Sequence, residues 1–239
     1  MRQRNDRQVR EAKVKGLKSR AAFKLLELDS KYRLFKPNVT VVDLGYAPGS
    51  WSQVAIDRVR PHGQVIGIDL IPVQPPRGVA SFQGNFLSPT VRRLFKEFIV
   101  NSRQQQVDNG AVSAASPSYI DRERHLDGPA SASPEAVVDV VLSDMLMNAS
   151  GIIFRDHVCS IDLCEAALEF ASDTLRPGGS FVCKFYQGAD DKPLELRLKK
   201  LFEKVFRDKP AASRSESNEN YFIALRRKSG VFVDKIDSQ

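Results

Sequence analysis

The chain has 239 residues, 42% of them hydrophobic, and a net charge of +7. That length and composition suit one well-buried domain, and no apolar run approaches the roughly 18 residues needed to cross a bilayer, so a soluble, monomeric protein is expected. Cys159, Cys164 and Cys183 are odd in number and lack the paired spacing of a zinc or redox site, which argues against a disulfide framework or a metal centre and for buried thiols in a reducing compartment.

The charge is concentrated at the N-terminus. Residues 1–36 carry twelve Lys or Arg against four acids, Asp6, Glu11, Glu27 and Asp29, which leaves the remainder close to neutral. A basic arm on a neutral body is the footprint of a nucleic-acid binder, because Lys and Arg gain affinity by displacing phosphate counterions. A solvated helix face would look similar. A mitochondrial transit segment would also be Arg-rich, but the four acids weigh against that reading.

In chain order, Val14, Leu17, Ala21, Leu25 and Leu28 recur at close to helical spacing and predict one or two helices between Arg10 and Tyr32. Val39–Leu44 is an unbroken β-branched run suited to a central parallel strand. A helix over Ser50–Val59 follows, then strands over Gln64–Leu70 and Val79–Gln83, then a helix over Pro89–Val100 with Val91, Leu94, Phe95 and Phe98 on one side. Residues 101–135 are rich in Ser, Ala, Gln and Pro and nearly free of large apolar side chains, so they are expected to form a disordered surface insertion. Strands resume at Val137–Leu142 and Ser180–Phe185. Between them, Ile161, Cys164, Leu168, Ala171 and Leu175 mark the inner stripe of a helix. A helix over Pro193–Phe202 and a strand over Tyr221–Arg226 complete a doubly wound α/β pattern.

The stretch VVDLGYAPGSWSQVA, Val41 to Ala55, is a strand, a glycine turn and a helix start. In a dinucleotide fingerprint, three glycines bring the backbone close to a pyrophosphate. Here the spacing is Gly45, Ala47, Gly49, with Pro48 between, and Asp43 stands two residues before the first glycine. A carboxylate there is a poor neighbour for a pyrophosphate and a good one for a cationic ligand such as S-adenosylmethionine. Asp69, ending the second strand, lies where an acid would hold ribose hydroxyls, and Asn85 in "GNF" lies where adenine would sit. The candidate cofactor contacts are therefore Asp43, Gly45, Ala47, Pro48, Gly49, Trp51, Asp69, Leu70 and Asn85, with Asp144 at the tip of the fourth strand.

Six separated motifs, SRAAFKL (Ser19–Leu25), VVDLGYAPGSWSQ (Val41–Gln53), GIDLIP (Gly67–Pro72), SDM (Ser143–Met145), GGSFVCKFYQG (Gly178–Gly188) and SRSESNENYFIA (Ser213–Ala224), together resemble the FtsJ-type ribosomal RNA 2′-O-ribose methyltransferases. The likeness covers nearly the whole chain apart from residues 101–135. DLGYAPG, RDHVCSIDLCEAAL and the insertion are most similar to the fungal mitochondrial branch, which is understood to modify an A-loop uridine of large-subunit rRNA. The resemblance implies a Rossmann-like fold with a mainly parallel seven-stranded sheet, S-adenosylmethionine as cofactor, large-subunit rRNA or the assembling large subunit as partner, and location in the mitochondrial matrix.

It also implies a catalytic Lys-Asp-Lys-Glu tetrad, which falls on Lys24, Asp144, Lys184 and Glu219. Lys184 is the candidate proton acceptor and Asp144 its orienter, while Lys24 and Glu219 position the ribose. Lys18, Arg20 and Lys24 are candidate RNA contacts. Methylation of tRNA or of an mRNA cap would use the same tetrad, and an rRNA-binding assembly factor with little activity is the reading from another class. One departure concerns the loop after the fourth strand, where the family commonly has Asp-Met-Ala-Pro-Asn. This chain has DMLMNASG, keeping Asn148 and Gly151 but replacing Ala-Pro by Leu146 and Met147. Asn85 is the other, since many bacterial relatives carry Asp there.

Overall fold

The computed structural model describes residues 7–109, 136–147, 150–214 and 216–233. Seven strands form one sheet: β1 (Thr40–Leu44), β2 (Gln64–Asp69), β3 (Val79–Gln83), β4 (Val138–Ser143), β5 (Leu175–Tyr186), β6 (Phe202–Asp208) and β7 (Glu219–Arg227). Their spatial order is β3-β2-β1-β4-β5-β7-β6, all parallel except β7, which runs antiparallel to both β5 and β6. Among the described residues the helices are α1 (Arg7–Val14), α2 (Ala21–Tyr32), α3 (Ser50–Val59), α4 (Pro89–Asn109), α5 (Ile153–Thr174) and α6 (Asp191–Leu201).

Successive strand residues point to opposite faces, and β1 feeds two separate cores. Val41 packs with Leu25, Trp51, Val54 and Val65 under α2 and α3. Val42 packs with Ile66, Phe95, Phe170 and Phe181 under α4 and α5. Both faces are covered, which explains why the strand reads as continuous apolar residues rather than an alternation. The chain leaves β1 toward β2 and returns to pair β4 on its other side, so the strand order reverses between β1 and β4. A crevice opens outside the carboxyl ends of strands at such a reversal. Asp43, Asp69, Asp144 and Lys184 all fall at or near those ends.

Three elements differ from the sequence expectation. The helix α4 continues through residues 101–109 of the expected disordered insertion. Anchored by Val91, Leu94, Phe95 and Ile99 in the core, a formed helix propagates through good helix formers such as Arg and Gln without needing further apolar contacts. Arg103 Nη1 then donates to the carbonyl of Val137 at 2.9 Å, tying that extension to the start of β4. Residues 110–135 of the insertion lie outside the described residues. The second difference is β6, which begins at Phe202, the expected last residue of a helix. In the third, β5 starts early, at Leu175, with a register shift before Ser180.

The basic N-terminal segment forms two helices separated around Gly16, whose φ of +66° suits a break. Of these, α2 is fastened to the connection after β6. Glu27 accepts the backbone N–H of Ala211 at 2.9 Å, Arg20 Nη2 donates to the carbonyl of Ala212 at 2.6 Å, and Lys31 and Tyr32 both reach Asp208 Oδ2. This clasp sets the register of α2 against the start of β7. Replacing Glu27 by Ala removes a charged acceptor from the backbone N–H groups of Ala211 and Ala212, and should lower stability by about 1 kcal/mol in chemical denaturation. The same variant should lose more activity than stability, because Lys24 rides on the helix it releases.

Candidate active site

The antiparallel register of β5 and β7 sets the chemistry. Lys184 lies opposite Tyr221 and Tyr186 opposite Glu219. Residues two apart on a strand share a face, as do directly opposed ones, so these four side chains project together at the carboxyl end of β5. Asp144, one residue past β4, meets them from the other side. Lys184 Nζ lies 3.0 Å from Asp144 Oδ1 and donates to the Asp144 carbonyl at 2.7 Å. Lys24, carried in by α2, pairs with Glu219 Oε1 at 2.5 Å. The four residues expected to act together thus form two lysine–carboxylate pairs, both largely shielded from solvent.

Tyr221 joins the pairs, a role that sequence reasoning missed. Its hydroxyl donates to Asp144 Oδ1 at 3.0 Å, and Lys24 Nζ sits 5.9 Å from its ring centroid. The signal was present in the apolar run Tyr-Phe-Ile-Ala of a central strand, because a buried phenol needs a hydrogen-bond partner. Burial pushes the Tyr221 phenol well up, the neighbouring charges of Asp144 and Glu219 adding to the effect, so it remains a neutral donor. Burial works against ionisation of Glu219, but the charge and hydrogen bond of Lys24 outweigh it and hold the carboxyl below its ordinary value. Glu219 is therefore an anion at neutral pH.

The loop after β1 forms the other wall. Gly45 adopts φ +76°, and a Cβ there would lie 2.9 Å from Met145 Cα, so the glycine lets the loop touch the tip of β4. Gly49, at φ +100°, precedes α3. The ring of Tyr46 lies against Gly67 of β2 and its hydroxyl donates to the Val73 carbonyl at 2.8 Å, pinning the loop to the neighbouring strand. Asp69 supports the same loop by accepting the N–H of Ala47 and of Ile71, each at 2.9 Å. Asn85 Oδ1 caps its own turn by accepting the Leu87 N–H at 3.1 Å, and so is already engaged locally. Leu70 is 65% exposed at the rim beyond Asp69.

The Trp51 side chain is turned into the core. Only 2% exposed, it donates from Nε1 to the Ala21 carbonyl at 2.9 Å and packs 5.6 Å from the Tyr221 ring. Its bulk and its single side-chain donor are satisfied inside the core, so the side chain supports the floor between α2 and β7. The basic arm is also partly committed to structure. Lys18 Nζ donates to the Gln74 carbonyl at 2.8 Å while staying exposed, whereas Arg20 forms the clasp to Ala212. Lys18 remains available to phosphates; Arg20 acts first as a brace. Asn148 lies outside the described residues, and Leu146 and Met147 are exposed at the mouth of the site.

Asp43 tests whether the crevice fits a cationic cofactor. It is fully buried beneath the glycine loop; Oδ2 accepts the Ser52 hydroxyl at 2.6 Å, and Oδ1 has no hydrogen-bond partner among the described residues. Burial pushes its carboxyl up to about 7, the charges of Asp144 and Asp69 adding to the shift and Ser52 opposing it. A buried acceptor without a partner is costly, and a cation delivered to it would supply both donor and countercharge. The residues present fit such a group.

The sheet order, the glycine loop over a buried acid and the acid-tipped fourth strand define a Rossmann-like methyltransferase fold. The sequence pattern of FtsJ-like methyltransferases matches residues 17–227. Similar relatives include "rRNA methyltransferase 2, mitochondrial" of Saccharomyces cerevisiae, 39% identical over 99% of this chain and 88% of the relative. "Ribosomal RNA large subunit methyltransferase E" of Thiobacillus denitrificans is 37% identical over 92% of this chain and 85% of the relative. A crystal structure of a protein assigned as a ribosomal RNA methyltransferase from Plasmodium falciparum superposes with a TM-score of 0.62 at 28% identity, covering 87% of this chain and 97% of that one. The chain belongs to the FtsJ-like methyltransferase family, whose members use S-adenosylmethionine.

Two measurements check this geometry. Because the folded chain raises the Asp43 carboxyl from 3.8 to about 7, folding favours its protonated form, and the stability this contributes at low pH is lost as pH rises toward 7. Thermal denaturation of the cofactor-free protein should therefore show Asp43→Asn gaining on the wild type between those values and holding a constant advantage above them; a difference flat with pH would refute the assignment. Tyr221→Phe removes one of two donors to Asp144 Oδ1 and leaves Lys184 in place, so methyl transfer should fall by less than about tenfold.

Proposed function

We propose that the protein transfers a methyl group from S-adenosylmethionine to the ribose 2′-hydroxyl of a uridine in mitochondrial large-subunit rRNA, in the A-loop, within the matrix. Similarity to a mitochondrial and a bacterial ribosomal RNA methyltransferase supports the rRNA substrate and, through the former, the mitochondrial setting. The observation that carries the reaction is the convergence of Lys24, Asp144, Lys184 and Glu219 on one end of the sheet, beside the loop over Asp43.

A ribose hydroxyl is a weak nucleophile at neutral pH, so positioning and proton removal are what the protein has to add. When bound, the cofactor supplies an electrophilic methyl group. Asp43 answers the ligand's positive charge, Gly45 and Gly49 let the backbone approach, and Asp69 holds the loop and offers its remaining lone pairs to ribose hydroxyls. On the acceptor side, the Lys24–Glu219 pair orients the nucleotide sugar by donating and accepting hydrogen bonds. Lys184 relays the hydroxyl proton: Nζ gives one of its protons to solvent and takes the one that leaves the hydroxyl. Asp144 fixes the direction of that nitrogen through both Oδ1 and its carbonyl. Holding the two reactants in line contributes several kcal/mol, and a positioned general base about a hundredfold or more in rate.

Incubation with labelled S-adenosylmethionine and naked rRNA fragments, assembled large subunits or tRNA, followed by mapping of ribose methylation, tests this reading. Methyl on rRNA is the expected result. Tight rRNA binding without transfer to any RNA would instead leave an assembly factor. Lys184→Ala should reduce transfer by at least about a hundredfold while cofactor affinity stays nearly constant. Asp69→Ala should do the reverse, weakening cofactor binding about tenfold through loss of a charged acceptor before the chemical step suffers.

A further inference from the structure

A cavity of about 190 Å³ opens beside the tetrad on the side away from the glycine loop, lined by Ile153, Asp156, Tyr186, Gln187, Ser217 and Asn218. It is built where the start of α5 meets the connections leaving β5 and entering β7. The backbone there is fixed. Gln187 N–H donates to the Asn218 carbonyl at 3.0 Å, extending the β5–β7 pairing by one step. Asp156 is spent on the loop before α5, accepting Ser150 N–H and Oγ at 2.7 Å and Gly151 N–H at 3.1 Å. His157 locks the floor. Its Nδ1 meets the Tyr186 carbonyl at 2.7 Å, and the Asp190 N–H donates to Nε2 at 3.1 Å.

Two kinds of group remain available in this cavity. The first is apolar surface, from Ile153, 70% exposed, and the ring of Tyr186. Beyond the rim, Ile152 and Phe154 are also exposed, the latter at 73%. The second is a pair of carboxamides. Among the described residues, neither the Gln187 nor the Asn218 side-chain amide has a hydrogen-bond partner. Burial pushes the Tyr186 phenol up against the opposing charge of Lys184, with Glu219, Asp156 and Asp144 within electrostatic reach. The ring is therefore a neutral wall standing between the cavity and the tetrad.

We infer that this cavity receives the base of the nucleotide being methylated, with Ile153 and Tyr186 against its faces and the Gln187 and Asn218 carboxamides at its hydrogen-bonding edge. The inference rests on the 2′-O-methylation reading above. The base is joined to the carbon next to the one bearing the reacting hydroxyl, so a ribose held by Lys24, Lys184 and Glu219 must place its base within a ring's width of them. The glycine loop and Asp43 occupy the β1–β4 side, which leaves the β5–β7 side, where this cavity lies. A carboxamide carries a donor and an acceptor side by side, the complement of a pyrimidine edge, and RNA bases splayed out of single-stranded loops are read in this way. The substrate nucleotide is then one turned out of its helix, and Phe154 offers a stacking surface to the base beside it.

The test uses the full chain and a large-subunit rRNA transcript. The methylated nucleotide is first mapped with the wild type, and a second transcript is then made with an abasic ribose at that position, which keeps the 2′-hydroxyl and removes only the base. Wild-type kcat/KM should be at least about tenfold lower on the abasic RNA, the scale of one good carboxamide–base pair. Ile153→Ala, Gln187→Ala and Asn218→Ala should each bring the rate on the normal RNA down toward the abasic rate, while the S-adenosylmethionine affinity and the thermal midpoint remain those of the wild type. Ile153→Leu should restore most of the loss. If the wild type methylates rRNA and these variants keep its full preference for the base, the pocket assignment is overturned and the enzyme reading stands. If the wild type methylates no RNA, both fall together.

Discussion

Lys24 and Glu219 come from opposite ends of the chain and meet at 2.5 Å, and the site exists only because they do. The pair joins a helix that packs on one face of the sheet to the only antiparallel strand within it. Neither partner is held by its own element alone: α2 is seated by Leu25 and Leu28 in the core and clasped through Glu27 and Asp208, while β7 is gripped between β5 and β6. The consequence is a constellation that no single element can build alone. It requires β5 and β7 in register before the charges can share one face, and a shift of β7 by one residue against β5 would turn Glu219 and Tyr221 together to the other face, away from Lys184.

The burial of these charges explains why they are paired. An isolated ammonium or carboxylate at this depth would carry an unrecovered desolvation cost. Each lysine meets a carboxylate, and Tyr221, kept neutral by burial, adds a donor to Asp144 without adding charge. Asp43 is the exception. Its Oδ1 is left without a donor, and its carboxyl is pushed to about 7. The same burial that is balanced around the two ion pairs is left unbalanced at Asp43, an imbalance that a bound cation would relieve.

The loop was legible in the sequence because it depends on residue type at fixed spacing, the tetrad only through the resemblance of its surrounding motifs to the FtsJ-type enzymes, and the doubly wound pattern follows from continuous apolar strands between amphipathic helices. Other features depend on what lies across the fold. Trp51 stands in the glycine motif yet faces α2 and β7, because helix α3 turns its side chain away from the crevice. The edge strand β6, FEKVFRD, has one neighbour and mostly exposed side chains, so its short alternating pattern merges with the end of α6. The reach of α4 was hidden for a different reason: a helix already anchored at one end needs no apolar stripe to continue.

Two halves of the crevice therefore obey different rules. On the β1–β4 side, glycines and a buried acid bring the backbone close to a ligand, and the sequence must be nearly invariant in residue type for the geometry to exist. On the β5–β7 side, strand register does the positioning, and the residues beyond it, Gln187 and Asn218 on short connections and Ile153 at the start of α5, are exposed side chains whose identity the fold does not dictate. The paired charges are fixed by the sheet, whereas the side chains around the cavity can change without disturbing them.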